Sequence, residues 1–361
     1  MNILIVYANS GRGLEKDSRI LAEALADMGH QCEFECLPPT QESQNRLSHY
    51  RYRLFEKYLP DAFGNLYYVC RTTIAKAKIG PPKSDLVIHL ENLRLSHLGR
   101  GHRHWLIPNQ EWFIESRLPY LRGINRILCK TRHATEIFSR YHTDVSYLGF
   151  TGGPELTKPD LSGKNYQLAL HVAGNSQFKG TKTVLDCWLR HPEWPKLVVV
   201  SQHLEASDYD SQNIDVLRNL TDQEMEALWR EAGFAIQPSE VEGYGQVLAE
   251  ALANGCVTVS TDAPPMNELI ENGRGYLADP GQSHTFRLGT RYITSPKSLE
   301  MTIDTALNAT QDALECISAN ASQWYALSHD AFLEKLRVAV SDCTNHSPDQ
   351  PVHESQENPT H

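Results

Sequence analysis

Short apolar segments alternate with helical segments along most of this chain, and this alternation restricts the possible folds more than any other feature. Residues 3–7 form an apolar run that breaks at a glycine turn, and residues 18–28 then show helical periodicity. Strands are predicted over residues 3–7, 31–36, 85–90, 105–108, 126–129, 145–148, 167–172, 197–200, 234–237 and 257–260. Such a chain favours an α/β fold built from doubly wound parallel sheets, with helices on both faces of each sheet.

The length of the chain and one loop-forming segment predict two domains. A chain of 361 residues is long enough for two domains of about 150 residues each. Glycine and proline cluster with polar residues over 152–159, which indicates a linker. We therefore predict an N-terminal domain over 1–155 and a C-terminal domain over 156–322. A helix is predicted over 323–340, and the polar segment 341–361, which has no Lys or Arg, is predicted to be disordered.

Composition argues against several classes of protein. The eight cysteines are scattered, without a CxxC pair or a Cys/His cluster at the spacing of zinc ligands, so we expect free thiols and no metal site. The N-terminus has no secretory signal pattern, and no apolar run approaches the roughly 20 residues of a membrane span. The sequence therefore predicts a cytoplasmic protein that is at most peripheral to the inner face of a membrane.

The charge is unevenly divided between the two halves of the chain. Residues 1–155 hold 20 Lys and Arg against 16 Asp and Glu, and the remainder holds 14 against 28, which together give the net charge of −10. Most of the positive excess lies in 46–83, where eight basic residues interleave with aromatic ones and meet only two acidic residues. Such a segment attracts anionic head groups or a phosphorylated acceptor, and an ordinary solvated helix face is the alternative.

The segment PSEVEGYGQVLAEALANG, residues 238–255, carries the strongest chemical signal. It begins at a strand end, passes through a glycine-bearing loop and continues as a helix. Its glycines allow a diphosphate to approach the backbone, and the free N–H groups and partial positive charge of a helix N-terminus favour that anion. Glu242 and Glu250 can accept hydrogen bonds from sugar and ribose hydroxyls. An ordinary loop with exposed carboxylates is the alternative interpretation.

The frame PSxxEGYGxxxxEAxxxG within this segment resembles the donor motif of the GT-B glycosyltransferases of family four. The likeness is specific here and extends loosely over the whole chain. It implies two Rossmann-like domains that face a central cleft, with the segment 323–340 returning to pack on the first domain. It also implies that Glu242 contacts the transferred sugar and that Glu250 contacts the nucleotide ribose. Three residues between them are implied to bind the donor: Gly243, Tyr244 and Gly245. Family members are usually retaining and need no divalent metal.

Residues 172–181, VAGNSQFKGT, resemble the family segment in which a basic residue followed by glycine binds the diphosphate. The resemblance implies that four of these residues contact the donor: Gly174, Asn175, Lys179 and Gly180. Lys179 would neutralise the charge that develops on the leaving nucleotide. Many family members have an arginine at the position of Asn175, so one expected cation is missing, and Lys182 or Arg12 is a candidate replacement. A surface lysine without a role is the alternative for Lys179.

The turn SGRG over 10–13 follows the first strand and resembles the family's glycine loop, which bounds the acceptor site across the cleft. The resemblance implies acceptor-side positions for three residues of this turn: Gly11, Arg12 and Gly13. A dinucleotide site would begin at the same turn, with Glu33 or Glu35 as its later acidic residue. Lys16 replaces the third glycine of that fingerprint, which argues against NAD binding.

Polar residues follow two predicted strands at the ends that would face the cleft. His89 lies in the segment 88–92, and Asn109 and Glu111 lie in the segment 108–112. The carboxyl ends of parallel strands bound the ligand crevice in doubly wound sheets. In the family, polar residues at the second place adjoin the acceptor, which makes Glu111 the candidate for orienting or deprotonating the acceptor hydroxyl. A helix cap or rim contact is the alternative for Glu111, and a packed or solvated histidine is the alternative for His89.

Together these features predict a glycosyltransferase that moves a sugar from a nucleotide-diphosphate sugar to a hydroxyl acceptor, with retention and without metal or further cofactor. The acceptor is a glycan, a lipid-linked molecule or a small molecule, and no nucleic-acid partner is expected. The basic segment 46–83 is compatible with peripheral membrane contact and with a role in polysaccharide biosynthesis. A GT-B nucleotide-sugar epimerase and a catalytically silent nucleotide-binding relative are the alternatives. A glycoside hydrolase is disfavoured, because Glu242 and Glu250 would lie about 12 Å apart along a helix, whereas a hydrolytic pair is separated by roughly 5–9.5 Å.

Overall fold

The computed structural model describes residues 1–9, 12–38, 42–58, 61–77, 82–153, 156, 160–205, 211–271 and 273–345. Side chains are described for the same residues except 12, 42–45, 56, 57, 61 and 345. Two six-stranded sheets, in which every neighbouring pair of strands is parallel, form the framework. This arrangement confirms the predicted α/β class.

The first sheet lies within residues 2–147. Its strands are β1 (Asn2–Ala8), β2 (Gln31–Leu37), β3 (Ser84–Glu91), β4 (Gly101–Pro108), β5 (Arg126–Cys129) and β6 (Val145–Tyr147), in the order β2-β1-β3-β4-β5-β6. Its helices are α1 (Arg12–Asp27), α2 (Glu42–Arg53), α3 (Asp61–Ala77) and α4 (Arg132–Phe138), with a π-helical turn at Leu54–Tyr58 and 3-10 segments at Leu95–His97 and Glu115–Gly123. The central strands β1, β3 and β4 are almost wholly buried, as expected for apolar runs covered on both faces.

The second sheet lies within residues 165–278. Its strands are β7 (Asn165–Gly174), β8 (Lys196–Ser201), β9 (Ile214–Leu217), β10 (Ala232–Gln237), β11 (Val257–Thr261) and β12 (Gly275–Ala278), in the order β12-β11-β10-β7-β8-β9. The intervening helices are α5 (Thr181–Arg190), α6 (Asp222–Glu231), α7 (Gln246–Ala253) and α8 (Met266–Ile270). An antiparallel hairpin of β13 (Pro280–Phe286) and β14 (Gly289–Thr294) follows, then α9 (Pro296–Leu307) and α10 (Gln311–Asn345).

One hydrophobic cluster joins the two halves of the molecule. It combines Ile5 and Ile88 of the first sheet with Leu248 of α7 and Phe332 of α10. The Tyr325 hydroxyl of α10 also accepts a hydrogen bond from the Gly152 N–H (2.9 Å) and donates one to the Gly153 carbonyl (2.8 Å). Helices α7 and α10 therefore hold the two sheets together, and this fixes the position of the cleft between them.

The C-terminal helix differs from its prediction. It begins at Gln311 rather than at 323, and it continues to Asn345, so the disorder predicted from 341 is wrong for residues 341–345. The last turn is ordered because Cys343 is buried and the Arg103 guanidinium donates a hydrogen bond to the Cys343 carbonyl. Residues 346–361 lie outside the described residues, as does residue 155 at the predicted domain boundary.

Three further elements were not predicted from the sequence: β9, β12 and the hairpin β13–β14. A capping box begins α6, with the Thr221 side chain accepting from the Glu224 N–H and the Glu224 carboxylate accepting from the Thr221 N–H. Among the helices described, none combines the length and the apolar character of a membrane-spanning segment.

Candidate active site

Two glycine-bearing loops of the second sheet lie side by side. One follows β7 and ends at Gly180, and the other follows β10 and ends at Gly245. A Cβ added to Gly180 would lie only 2.5 Å from the Pro238 carbonyl oxygen, so no larger residue fits there without a shift. The Glu240 N–H donates to the Phe178 carbonyl at 2.8 Å, which fixes the second contact between the loops. These loops are the two segments in which the sequence predicts donor contacts.

Each of these loops delivers the chain into a helix whose N-terminus lacks a side-chain cap. Gly180 precedes α5 with φ of 67°, and Gly245 precedes α7 with φ of 100°. Because glycine has no side chain, neither residue can accept a hydrogen bond from the first-turn N–H groups. Lys179 stands immediately before the first of these helices. Two helix N-termini and one ammonium group therefore concentrate positive potential at adjacent places, which is the arrangement that binds a phosphate or diphosphate.

Lys179 and Glu242 form an ion pair between the two loops, and each side chain is only 12% exposed. The backbone carbonyl of Glu242 accepts a hydrogen bond of 2.8 Å from the Gln110 side-chain amide of the first domain. A Cβ at Gly243 would lie 2.7 Å from both the Asn109 side chain and the Glu111 Oε1. The structure thus brings Lys179 and Glu242 together with the predicted acceptor-side pair Asn109 and Glu111.

The Glu111 carboxyl group is buried at this junction. Burial raises the pKa of Glu111 to about 8, and the nearby charges of Glu242 and Glu91 add to the effect, while Lys130 opposes it. The group therefore carries a proton at neutral pH in this arrangement and can donate a hydrogen bond. Its other oxygen still accepts a hydrogen bond in this form, and ionisation leaves the group with acceptors only.

Several buried polar atoms around the junction have no hydrogen-bond partner among the described residues. They are Asn109 Oδ1, Gln110 Oε1, Glu111 Oε2 and Gln246 Oε1. Buried polar groups are normally paired, so a concentration of four such atoms where the domains meet is typical of a site that binds a polar ligand. Hydroxyl groups, such as those of a sugar, are donors that such oxygen atoms can accept from.

Glu250 also faces the first domain, but through a contact that the sequence did not predict. Its Oε1 lies 2.6 Å from the Nζ of Lys16 in α1, with Glu250 the more buried of the two side chains. The carboxylate expected to hold the nucleotide ribose is therefore paired with a lysine across the cleft. Lys16 is the residue whose presence argued against a dinucleotide fingerprint.

A buried network fixes the first residue of α7 against α1. The Lys130 ammonium pairs with Asp17 Oδ2, and both side chains are almost fully buried. Asp17 Oδ1 accepts a 2.7 Å hydrogen bond from the Gln246 side-chain amide, which also donates to the Thr151 carbonyl at 3.2 Å. Lys130 and Asp17 were not predicted to lie together, since 113 residues separate them along the chain.

Tyr244 and His89 lie away from the carboxylates that they were expected to accompany. The Tyr244 hydroxyl is buried and donates a hydrogen bond of 2.8 Å to the Phe150 carbonyl, so only the backbone of Tyr244 is free to contact a sugar donor. The prediction of His89 as a cleft residue is wrong, because its ring is fully buried, on the face of β3 opposite to that of Ile88. The ring packs beside His104, with His89 Nε2 3.3 Å from His104 Nδ1. Burial and the neighbouring His104 lower the pKa of His89 well below its usual value.

The remaining predicted residues are placed only in part. Gly11 and the side chain of Arg12 lie outside the described residues, and Gly13 is exposed with open space around its Cα. Gly174 ends β7 with φ of 55°, and the Asn175 carbonyl lies 3.1 Å from His203 Nε2. Lys182 is exposed and pairs with Asp186 on the same helix, so it does not replace the missing cation.

The hairpin β13–β14, which was not predicted, closes one side of the junction. Phe286 packs with Trp112 of the first domain (ring centroids 5.7 Å apart) and with Phe178 (5.4 Å). Arg287 lies over the Trp112 ring and donates 2.7 Å to its carbonyl. Arg287 and Leu288 form the two-residue turn, with Arg287 at φ of 54°, whereas the usual signal for such a turn is Asn-Gly or Asp-Gly.

Residues 159–307, which run from the segment before β7 to the end of α9, match the family described as glycosyl transferases group 1. A sequence search of the curated proteins found no match.

Solved structures show the same architecture. The sucrose-phosphate synthase of Thermosynechococcus elongatus gives a TM-score of 0.65 at 14% identity, over 96% of this chain and 100% of that one. The structure of Anabaena Alr3699/HepE in complex with UDP and glucose gives a TM-score of 0.60 at 15% identity. The match covers 96% of this chain and 99% of that one. The pneumococcal O-GlcNAc transferase GtfA in complex with UDP and GlcNAc gives a TM-score of 0.55 at 15% identity. The match covers 76% of this chain and 60% of that one, so this chain spans only part of the length of GtfA. At these identities the likeness establishes the fold, which is the predicted GT-B fold.

Proposed function

We propose that this chain, which has the GT-B fold and matches glycosyl transferases group 1 over residues 159–307, transfers a sugar from a nucleotide-diphosphate donor to a hydroxyl acceptor. One observation carries the proposal. Lys179, Glu242 and the uncapped N-termini of α5 and α7 lie together on one side of the cleft, opposite Glu111 on the other.

The donor diphosphate binds where α5 and α7 begin. Its negative charge is matched by the Lys179 ammonium and by the first-turn N–H groups of both helices, and this match strengthens as the nucleotide leaves. Glu242 accepts hydrogen bonds from the transferred sugar, and Glu250 accepts them from the nucleotide ribose, in exchange for their lysine partners. Because these groups supply the charge that faces the leaving group, we propose that neither a metal nor a further cofactor takes part.

The acceptor hydroxyl enters from the first domain. Glu111 and Asn109 orient it, with Glu111 as a hydrogen-bond donor at neutral pH because burial raises its pKa to about 8. Retention of configuration is proposed from the resemblance of the frame over 238–255 alone. The acceptor class extends to glycans, lipid-linked molecules and small molecules, in the cytoplasm or at the inner face of a membrane, which fits polysaccharide biosynthesis.

Lys179→Ala tests this assignment. Removing the ammonium removes a charge that acts on the leaving group, so kcat/KM for transfer should fall about 10²-fold or more. The matched control is Lys182→Ala, which removes an exposed lysine three residues further on and should leave transfer at the parental rate. The assay incubates a panel of nucleotide sugars with hydroxyl acceptors and identifies the products by mass spectrometry, with thermal shift to select the donor.

Three results would contradict the proposal. Lys179→Ala transferring at the parental rate would remove Lys179 from the donor site. A new nucleotide sugar formed without any acceptor would identify an epimerase. Nucleotide binding without turnover across the panel would identify a silent relative.

A further inference from the structure

A second pocket, of about 350 Å³, lies in the first domain between α2, α3 and the loops that follow β3 and β4. Four arginines line it: Arg51, Arg71, Arg94 and Arg117. We refer to it as the arginine pocket. Tyrosine, serine and leucine side chains complete the wall, and no described residue that lines it is acidic. The basic and aromatic character of 46–83 was evident from the sequence, but the contribution of Arg94 and Arg117 to the same surface was not.

Burial disfavours the charged form of two of these arginines. Burial lowers the pKa of Arg94, and it lowers that of Arg117 to about 10, with the Arg94 charge contributing to the second shift. Glu91 opposes both shifts from the side of the cleft. Guanidinium groups that repel each other in a partly desolvated wall gain most from a ligand with concentrated negative charge.

The arginine pocket is built on the same two loops as the acceptor side of the cleft. The Arg117 guanidinium donates 2.9 Å to the Leu93 carbonyl, in the loop after β3. In the same loop, Asn92 donates to the Trp112 carbonyl and accepts from the Ile114 N–H, at 2.8 and 3.0 Å. A molecule anchored in the arginine pocket therefore lies beside the loop that carries Glu111.

The two helices that form part of the wall of the arginine pocket also carry exposed apolar side chains, one of which, Leu47, lines the pocket. Helices α2 and α3 expose several large ones: Leu47, Tyr50, Phe63, Leu66, Val69 and Ile74. Exposed apolar residues next to a basic site are typical of surfaces that meet a lipid layer. This neighbourhood favours a lipid-borne anion over one that is freely soluble.

We infer that the arginine pocket binds the phosphate or diphosphate group of the acceptor. The inference rests on the proposed function, because it names the class of acceptor that the cleft serves. Guanidinium groups bind phosphate oxygens in pairs of charge-assisted hydrogen bonds, and four of them match a group that carries two or more negative charges. The phosphate group anchors the acceptor in the arginine pocket, and the reacting hydroxyl of the acceptor extends past Glu91 towards Glu111.

The double variant Arg51→Gln/Arg71→Gln tests the inference, with Arg140→Gln as the control for an exposed arginine elsewhere in the same domain. Binding of inorganic pyrophosphate is measured by calorimetry in a Lys179→Ala background, which weakens the donor diphosphate site. Binding to phosphatidylcholine vesicles with and without phosphatidic acid is measured by co-sedimentation. Since each arginine contact to phosphate is worth about tenfold in affinity, the double variant should bind about 10²-fold less tightly in at least one arm.

The two arms separate the sources of the phosphate. Loss in the vesicle arm supports a lipid-borne acceptor, and loss confined to pyrophosphate supports a soluble phosphorylated one. Equal binding by the double variant and Arg140→Gln in both arms overturns the inference, provided that far-UV circular dichroism shows both to be folded. Nucleotide-sugar binding by the double variant with Lys179 intact is measured in parallel, so failure of the donor site and failure of the arginine pocket give different results.

Discussion

Among the single residues of the site, Glu111 most clearly lowers the stability of the fold in the position where it could serve function. Its carboxyl is buried beside the loop of Glu242, and burial raises its pKa to about 8, chiefly because the ionised form loses its hydration. An acid with a raised folded-state pKa costs no stability below its unfolded pKa. The cost grows as pH rises towards 8, because the unfolded chain loses the proton first.

Replacing this acid with its neutral isostere should therefore stabilise the protein at high pH only. We expect Glu111→Gln to melt at the parental temperature near pH 4.5 or below, and at a higher temperature near pH 9, where the gain has a ceiling of about 5 kcal/mol at about 1.36 kcal/mol per pKa unit. Thermal unfolding followed by circular dichroism across this range measures it. Glu23→Gln, on the exposed face of α1, is the control and should show no such pH dependence. A Glu111→Gln gain that is the same at both ends would show that Glu111 keeps an ordinary pKa.

Residues were predictable where a single loop decides their position. Lys179 and Glu242 each lie in a loop that follows a strand of the second sheet, so the local pattern and the family resemblance predicted both in the cleft. His89 was misplaced because it lies two residues before the end of β3, where both faces of the sheet are covered, and the cleft begins only beyond the carboxyl end of the strand. The Lys16–Glu250 pair was not predictable, since 234 residues separate its members and only the docking of the domains brings them together.

At the scale of elements, the apolar runs identified the central strands of both sheets, because buried parallel strands have a strong sequence signal. The edge strands β9 and β12 have only four residues each, too few for a period to show. The end of α10 was not predicted, for a different reason. The polar composition after 340 indicated disorder, yet one residue per turn is enough to hold a helix whose neighbour is already in place, and Cys343 provides it.

The last turn of α10 should therefore contribute to stability. A chain ending at 340 loses the burial of Cys343, the Arg103 bond to its carbonyl and the Arg126–Asp342 pair, on the order of 1–3 kcal/mol in total. We expect it to unfold at lower denaturant than a chain ending at 345, as measured by chemical denaturation of the two truncated proteins. Coinciding midpoints would mean that 341–345 add nothing, as the disorder prediction implied.

At the scale of the whole molecule, the two domains meet through the same residues that form the site. Gln110 holds the Glu242 carbonyl, Gln246 holds Asp17, and Lys16 holds Glu250. Most of these contacts are polar, and polar groups exchange partners more readily than a packed apolar core does. These polar contacts, unlike the apolar packing of α7 and α10 on the first sheet, are therefore the ones that a donor or acceptor would replace when it binds.

Gly243→Ala tests whether this close approach of the domains is required for transfer. The backbone of Gly243 lies outside the left-handed region, so alanine is tolerated locally, but its Cβ would lie 2.7 Å from Asn109 and Glu111 across the junction. The added methyl should displace the ends of the Asn109 and Glu111 side chains or keep the domains a few tenths of an ångström or more apart. We expect about a tenfold or greater fall in kcat with little change in donor affinity, since misplaced reacting groups lose rate even when binding survives. Gly163→Ala, at an exposed position with open space around it, is the control for the substitution itself. Parental kcat in Gly243→Ala would show that catalysis proceeds without this contact, and the acceptor-side role of Asn109 and Glu111 would then be lost with it.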